Sequence, residues 1–516
     1  MRFSPWLAAL LGAARARAAD QSSLYGNSTD ACAQLASALP GKTSFPDSAL
    51  YGQSKDYWSA LQAALSPACF FYPESTADVS VAMKLLASLS APFTVKSGGH
   101  TPYAGGSNIQ AGVTIDLIRL NQVTVSADRQ TVSVGPGNRW GNVSAVLDPL
   151  GLGVVGGRVG QVGVSGLTLG GGISYFSNRR GWACDNVRAF EVVLSSGRVV
   201  VATPARHPDL FWALRGGGGS HFGLVTRFDL EAFPQVGGLW RRLSLYSLAS
   251  PSAAQLMQAY ADLGLAGLDG DPDGHNFMFV GDMAAFGGGF MGSFLYHSNP
   301  AAADDPLAVP PVFADMASVP GSLQTTTDVA NVSARLLEIG EPNGLRKGWT
   351  SVAIRLTPDT AALLRDVVVP EFQAHVARLR AAAASLNVTD EALNPGMSWH
   401  VVTATTLRAM QRNGGNALGL RPEDGPLIHM NTIHGWSRPE LDELVEAGLD
   451  ELTARIERGA AARGLDSRYK YLNYAGRAQR VYEGYGAENH ARLRRVAAHY
   501  DPDGVLRRLW RGYIKL

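Results

Sequence analysis

The chain has 516 residues, with 45 Lys and Arg set against 44 Asp and Glu and a net charge of +1. That length exceeds one ordinary hydrophobic core and implies two or more domains, while the charge balance excludes the basic stripe of a nucleic-acid binder. The 58 glycines cluster in a few stretches without a fixed period, which excludes a fibre or a low-complexity chain and points to ligand loops.

The N-terminus has Arg2, an apolar stretch from Trp6 to Ala14, and the small-residue site Ala16-Arg17-Ala18. Residues 1–18 therefore read as a secretory signal, too short to span a bilayer. No later segment is long and apolar enough for a transmembrane helix, so a soluble, secreted protein with no membrane partner is expected. In that compartment three cysteines resolve most simply into one bridge and one leftover. Cys32–Cys69 is the expected pair, because Cys184 lies in a different setting. Sequons at Asn27, Asn142, Asn331 and Asn387 point to a glycoprotein.

Residues from about Ala77 to Phe233 alternate short β-like runs with helices. Helices are expected over Val79–Leu89, Trp140–Leu147 and Asp209–Leu214. Strands are expected over Phe93–Lys96, Val113–Leu117, Thr131–Val134 and Leu224–Leu230. Ser196-Gly197, between Glu191–Leu194 and Val199–Val201, is a hairpin signal. From about Gly237 glycine thins out, and strands such as Leu243–Leu248 and Asn276–Val280 alternate with long helices. One helix carries Leu441, Leu444, Val445, Leu449, Leu452 and Ile456 at helical spacing behind a capping box of Ser437 and Glu440. The expected division is a first domain over 19–236, a second over 237–465, and a return of residues 466–516 to the first.

Several familiar motifs fail on context. "GLGVVG" (151–156) has the spacing of a dinucleotide loop, but Asp148-Pro149 precedes it and no helix opens at its end. "DGDPDG" (269–274) copies the start of a calcium loop, yet Val280 stands where a bidentate glutamate is required. His429 and His434, five apart on a strand, point to opposite faces and cannot share a metal ion. No nucleophile elbow occurs, since Leu167 replaces its glycine. No metal is expected.

Three glycine-rich stretches survive: "KSGGHTPYAGGSN" (96–108), "GQVGVSGLTLGGG" (160–172) and "LRGGGGSHFGLVT" (214–226). Successive amides in such turns make nests for anions such as a pyrophosphate. Gly98, Gly99, Gly163, Gly166, Gly170 and Gly171 would let backbone lie against a flat ring system. A large phosphorylated cofactor held mainly by main chain is the physical reading.

With "SGGH", "VGVSGLTLGGG", "GWACDNV", "DLFWALRGGGGSHFGLVT", "YLNYA" and "YDPDGVL" in that order, the chain resembles the berberine bridge enzyme-like FAD-linked oxidases. They belong to the vanillyl-alcohol oxidase and p-cresol methylhydroxylase (PCMH) superfamily, and the likeness is greatest to its secreted fungal branch. The resemblance implies an α+β fold: a two-part, PCMH-type FAD-binding domain, and a substrate domain whose antiparallel sheet is covered by helices. It also implies that His100 bonds covalently to the flavin 8α carbon and that Lys96, Ser97, Gly98, Gly99, His100 and Thr101 line the cofactor. Ser107, Gly163, Gly166, Gly170, Gly171 and Val225, from the same three stretches, complete the expected cofactor-binding set with Val162 and Asn473. Relatives with a second tether carry cysteine where this chain has Val159, so a single link is expected. Pro102 stands where sugar-oxidising relatives often have tyrosine, with Tyr103 one step later.

Val162 falls beside the flavin in relatives that react with oxygen, which favours an oxidase releasing hydrogen peroxide. Tyr474 is the expected general base and Asn473 the residue that holds the flavin. A phenol, ordinarily near about 10, then needs the flavin field or a cationic neighbour. Tyr471, His400 and His434 are reserve candidates. The expected protein is a monomer whose partners are O2 and a small-molecule substrate of secondary-metabolite type. The alternatives are an oligosaccharide oxidase, or an isomerase, dehydratase or cyclase on the same fold.

Overall fold

The computed structural model describes residues 27–283, 288–300, 305–340, 343–389, 392–512 and 514–516. The expected signal segment lies outside these residues.

The first sheet has four strands: β1 (Thr43–Ser44), β2 (Cys69–Phe71), β3 (Phe93–Lys96) and β4 (Val113–Asp116), in the order β1-β2-β4-β3. Both neighbours of β4 run parallel to it, and all four β4 residues are buried, as expected for strands covered on both faces. The helix Thr76–Ser88 starts at a capping box. The Ser75 hydroxyl accepts from the Asp78 amide, and the Asp78 carboxylate accepts from the Ser75 amide. A disulfide joins Cys69 on β2 to Cys32 in the helix over residues 27–38, while Cys184 is free and buried.

The second sheet contains β5 (Val123–Val125), β6 (Thr131–Val134), β7 (Leu152–Val154), β8 (Val187–Val193), β9 (Val199–Ala202) and β10 (Leu224–Pro234). Strand β10 is its spine and pairs antiparallel with β6, β7 and β8. The β8–β9 hairpin turns at Gly197, whose φ of +78° is the conformation that glycine tolerates best.

The third sheet is antiparallel and seven-stranded: β11 (Leu239–Ser247), β12 (Gly274–Met283), β13 (Gly288–His297), β14 (Gln324–Ala330), β15 (Arg346–Arg355), β16 (Leu393–Val402) and β17 (Leu427–Trp436). Its order is β14-β11-β13-β12-β16-β17-β15. Strand alternation splits its residues between two faces. Met278, Val280, Met397, Trp399, Met430, Val352 and Ile354 pack into one apolar core with the helices Pro251–Asp262, Val369–Ser385 and Asp442–Ala461. Phe277, Phe279, Ser398, His400, Asn431, Ile433 and Trp349 line a cavity on the opposite face.

One expected local feature is corrected. The helix Asp442–Ala461 buries Val445, Leu449, Leu452 and Ile456 at the anticipated spacing, but no capping box joins Ser437 to Glu440. Pro439 opens a short 3-10 turn capped by Arg438, which moves the helix start beyond the reach of Ser437. Glu440 pairs with Arg438 instead.

After residue 465 the chain packs back on the first two sheets. The Arg511 amide donates to the Phe93 carbonyl at 2.7 Å. Leu506, Leu509 and Trp510 join the core of the first sheet, and Tyr469, Tyr471 and Tyr482 join that of the second.

Candidate active site

Strand β3 delivers the loop Ser97–Gly98–Gly99–His100 into the space between the first two sheets and the seven-stranded sheet. The loop is pinned at several points. The Ser97 and Ser165 hydroxyls both donate to the Pro136 carbonyl, at 2.6 and 3.1 Å. Ser59 donates to the Pro102 carbonyl at 2.6 Å, and the Tyr57 hydroxyl to the Ser107 carbonyl at 2.9 Å. Arg139 donates to the Gly98 carbonyl at 3.3 Å and bridges to Gly163.

The loop borders a cavity of about 420 Å³, within the size range of small-ligand sites. Ser97, Gly98, Gly99, His100, Thr101, Ser107, Val162, Gly163, Gly166, Gly170, Val225, Asn473 and Tyr474 all line it. Two expected residues lie behind the wall. Lys96 is buried, with its ammonium 3.0 Å from Asp116 and 2.8 Å from the Ser54 carbonyl. Gly171, at φ +123°, faces Trp182, 2.7 Å from where a Cβ would stand. Both shape the loops from beneath.

The glycines divide by what they face. Gly98 and Gly163 pack against each other, and a Cβ on Gly170 would sit 2.0 Å from the Asn473 side-chain oxygen. A Cβ on Gly166 would meet nothing within 4 Å, because this exposed residue opens onto the cavity. Close approach between protein segments, as much as to a ligand, therefore accounts for these glycines.

His100 stacks on Trp58, with ring centroids 3.9 Å apart and planes 19° from parallel. Burial, reinforced by the Arg139 and Lys347 charges, pushes its imidazole down to about 3, so the ring is neutral. Its Nδ1 and the Thr101 hydroxyl beside it are buried and have no hydrogen-bond partner among the described residues. Buried polar atoms are rarely left unsatisfied, and a neutral imidazole nitrogen with an available lone pair is a nucleophile.

Also lining the cavity, the Tyr474 oxygen accepts from Arg158 Nη2 at 2.9 Å. Arg158 also donates to His400 Nδ1 at 3.0 Å and lies over the Phe277 ring at 5.2 Å. Burial first, then the Arg158 charge, holds His400 well below the usual imidazole range. Asn473 Nδ2 donates to the Leu167 carbonyl at 3.0 Å and to the Tyr471 hydroxyl at 2.9 Å. Its neighbour Tyr471 also accepts from the Gly172 amide at 2.8 Å, so both residues fasten the C-terminal segment to the second glycine loop.

Among the reserve candidates, His400 and Tyr471 line the cavity, whereas His434 does not. With Met430 and Thr432 it faces the covering helices, where its Nε2 lies 2.9 Å from that of His375. His429, on the other face of β17, stacks edge-on against Tyr474 at 5.3 Å. Tyr103 does not reach inward to replace the missing tyrosine at Pro102, because its hydroxyl is bonded to the backbone of Trp349. Val159 lines the cavity, and no cysteine does among the described residues.

Arg158, Trp58 and Trp349 are cavity-lining residues that the sequence reading missed. Arg158 had a usable signal, since it is the one charge inside the run "GVVGGRVGQVGVSG". The two tryptophans carried none, because their place depends on how the two sheets meet.

A model of the FAD binding domain matches residues 67–203. The chain is 34% identical over 512 residues to the FAD-dependent monooxygenase FUP4 of Fusarium proliferatum, covering 95% of each chain. In structure it resembles 6-hydroxy-D-nicotine oxidase of Arthrobacter nicotinovorans, with a TM-score of 0.74 at 20% identity, over 92% of this chain and 97% of that one. It also resembles glucooligosaccharide oxidase of Acremonium strictum, which carries a 6-S-cysteinyl, 8α-N1-histidyl FAD. That likeness has a TM-score of 0.72 at 18% identity, over 93% and 97% of the two chains.

The chain is an FAD-linked oxidoreductase with the PCMH-type fold. By its likeness to FUP4 it belongs to the family of these fungal FAD-dependent monooxygenases, and its fold is the one shared by berberine bridge enzyme-like and oligosaccharide oxidase structures. FAD fits the residues present: a glycine-lined cleft open at Gly166, and buried partnerless polar atoms on His100 and Thr101.

Proposed function

We propose that this protein is a secreted oxidase that takes two electrons from a secondary-metabolite-type substrate and passes them to O2, releasing hydrogen peroxide. The observation that carries the reading is the neutral His100 ring, its Nδ1 without a hydrogen-bond partner among the described residues, lining the same cavity as the Arg158–Tyr474 pair.

In this reading His100 holds FAD by a single covalent link, and the loops around Gly98, Gly163 and Gly166 hold the rest of it. Bound FAD supplies the two-electron acceptor that O2 reoxidises. Tyr474 takes the proton of a substrate hydroxyl as the neighbouring C–H leaves as hydride. Arg158, donating to the Tyr474 oxygen, fixes that oxygen's position in the cavity. Asn473 keeps Tyr474 in place through its bonds to Leu167 and Tyr471.

Val162 on the cavity wall is small enough to leave O2 room. Phe277, Phe279, Trp349, Ile339 and Ile433 offer an apolar surface suited to a polyketide-like body better than to a sugar. The buried Cys32–Cys69 bridge and the exposed sequons Asn142, Asn331 and Asn387, with Asn27 half-exposed, support passage through the secretory route. We retain the division at residues 236 and 465, and a monomer, as part of the same proposal.

The test is stoichiometry under air with candidate alcohols, phenols and polyketide-like compounds. One peroxide per substrate oxidised is expected. A product of unchanged mass without flavin bleaching would replace the oxidase reading with the isomerase one.

A further inference from the structure

Arg158 is the one formally charged residue lining the cavity among the described residues, and no aspartate, glutamate or lysine joins it there. Its hydrogen bonds all go to neutral acceptors: the Tyr474 oxygen at 2.9 Å, His400 Nδ1 at 3.0 Å and His275 Nε2 at 3.4 Å. Both imidazoles are neutral, since burial first and the Arg158 charge second hold them well below their usual range. A guanidinium has five N–H donors. Its Nε–H and one Nη2 hydrogen find no acceptor among the described residues, and no carboxylate pairs with it.

The polarity continues to Ser398. A guanidinium cannot accept, so Nδ1 of His400 is the acceptor and the ring hydrogen sits on Nε2. That hydrogen points to Ser398 Oγ at 3.0 Å, which leaves the Ser398 hydroxyl hydrogen for a ligand in the cavity it lines. An unpaired cation among Phe277, Phe279 and Trp349 carries a desolvation cost that an incoming anion offsets.

We infer that the substrate is acidic. It presents a carboxylate, or an ionised enol or phenol oxygen, to Arg158, with Ser398 as second donor and its apolar body against the seven-stranded sheet. The inference rests on the proposed reading of the cavity as an oxidase site and names the substrate class. The cofactor's pyrophosphate is the other anion that could use this charge. However, two of the three partners of Arg158, His275 and His400, belong to β12 and β16, and this favours the substrate.

The test uses purified holoprotein titrated with benzoate, phenylacetate and octanoate and with their uncharged amides. Binding is read from tryptophan fluorescence, since Trp58 and Trp349 line the cavity, and from the flavin absorbance. At least one carboxylate is expected to bind tenfold or more tightly than its amide. That advantage should vanish in Arg158→Gln and persist in Arg158→Lys. Absence of any preferred carboxylate, or an unchanged preference in Arg158→Gln, would overturn the inference. Loss of bound flavin in Arg158→Gln without loss of a carboxylate preference would assign the charge to the cofactor and overturn it as well. A flavin-free protein that keeps an Arg158-dependent preference would retain the anion site and remove the oxidase reading instead.

Discussion

Gly98 and Gly163 stand back to back across two loops. A Cβ on Gly98 would lie 2.4 Å from the Gly163 nitrogen, and one on Gly163 would lie 2.2 Å from the Gly98 nitrogen. The loop that carries His100 is therefore locked to the loop that carries Val162 by direct backbone contact, in addition to the Ser97, Ser165 and Arg139 hydrogen bonds. Gly98→Ala should force the loops apart at a cost of about 1–3 kcal/mol, the usual range for overpacking. It should also purify with less bound flavin. Calorimetry together with the flavin-to-protein absorbance ratio checks both, and an unchanged ratio would mean the interlock does not shape the cofactor cleft.

Replacing His100 with alanine should leave the fold intact, because the ring's main protein contact is the stack on Trp58. Flavin should then be released by denaturant, and turnover should fall at least tenfold through loss of the tether. Fluorescence of the denatured protein on a gel reads the first effect. A band still fluorescent in the variant would move the tether to another residue.

Tyr474→Phe removes the oxygen that accepts from Arg158 and leaves the ring packing of Tyr474 on Trp349 and His429. Anaerobic flavin reduction should slow by about 10²–10⁴-fold, the usual contribution of a positioned acid or base, with the oxidised flavin spectrum retained. Near-normal reduction would take Tyr474 out of the chemistry.

Stability should fall on acidification below neutrality. Burial holds His221 and His429 down to about 3 in the folded chain, against about 6.5 when unfolded. Between those values the unfolded state binds more protons, so stability rises with pH across the window and is lost as pH drops through it. Each such group contributes at most about 1.4 kcal/mol per pH unit there. Denaturant midpoints at pH 7 and pH 5 should differ accordingly, and equal midpoints would mean that these rings are protonated in the fold.

The Cys32–Cys69 bridge spans a sequence separation of 37 residues. Cys32→Ser should therefore destabilise the first sheet by about 3–4 kcal/mol on loop-entropy grounds. Reducing agent should lower the melting temperature of the parent protein and leave that of the variant unchanged.

Much of this arrangement was legible in the chain because local rules act alone there. Strand β3 and the helix Trp140–Leu147 follow from apolar runs bounded by turn residues, and the β8–β9 hairpin follows from Ser196-Gly197. His100 stood out because a lone histidine inside a glycine loop has no core to satisfy. The capping box at Ser437 was misread because Pro439 imposes a 3-10 turn that pattern matching overlooks. Lys96 and Gly171 sit beside cavity residues in sequence, but their direction is decided by Asp116 and Trp182, which are distant in the chain. Arg158 needed the seven-stranded sheet in place, since His275, His400 and Tyr474 lie 117, 242 and 316 residues away.

The most direct measurement is the mass of the proteolytic peptide that contains His100, taken from protein denatured and freed of loose cofactor. The account expects that peptide to carry the full mass of FAD, with no other peptide modified by flavin. An unmodified His100 peptide, with all the flavin recovered in the denaturant or none present at all, would contradict it.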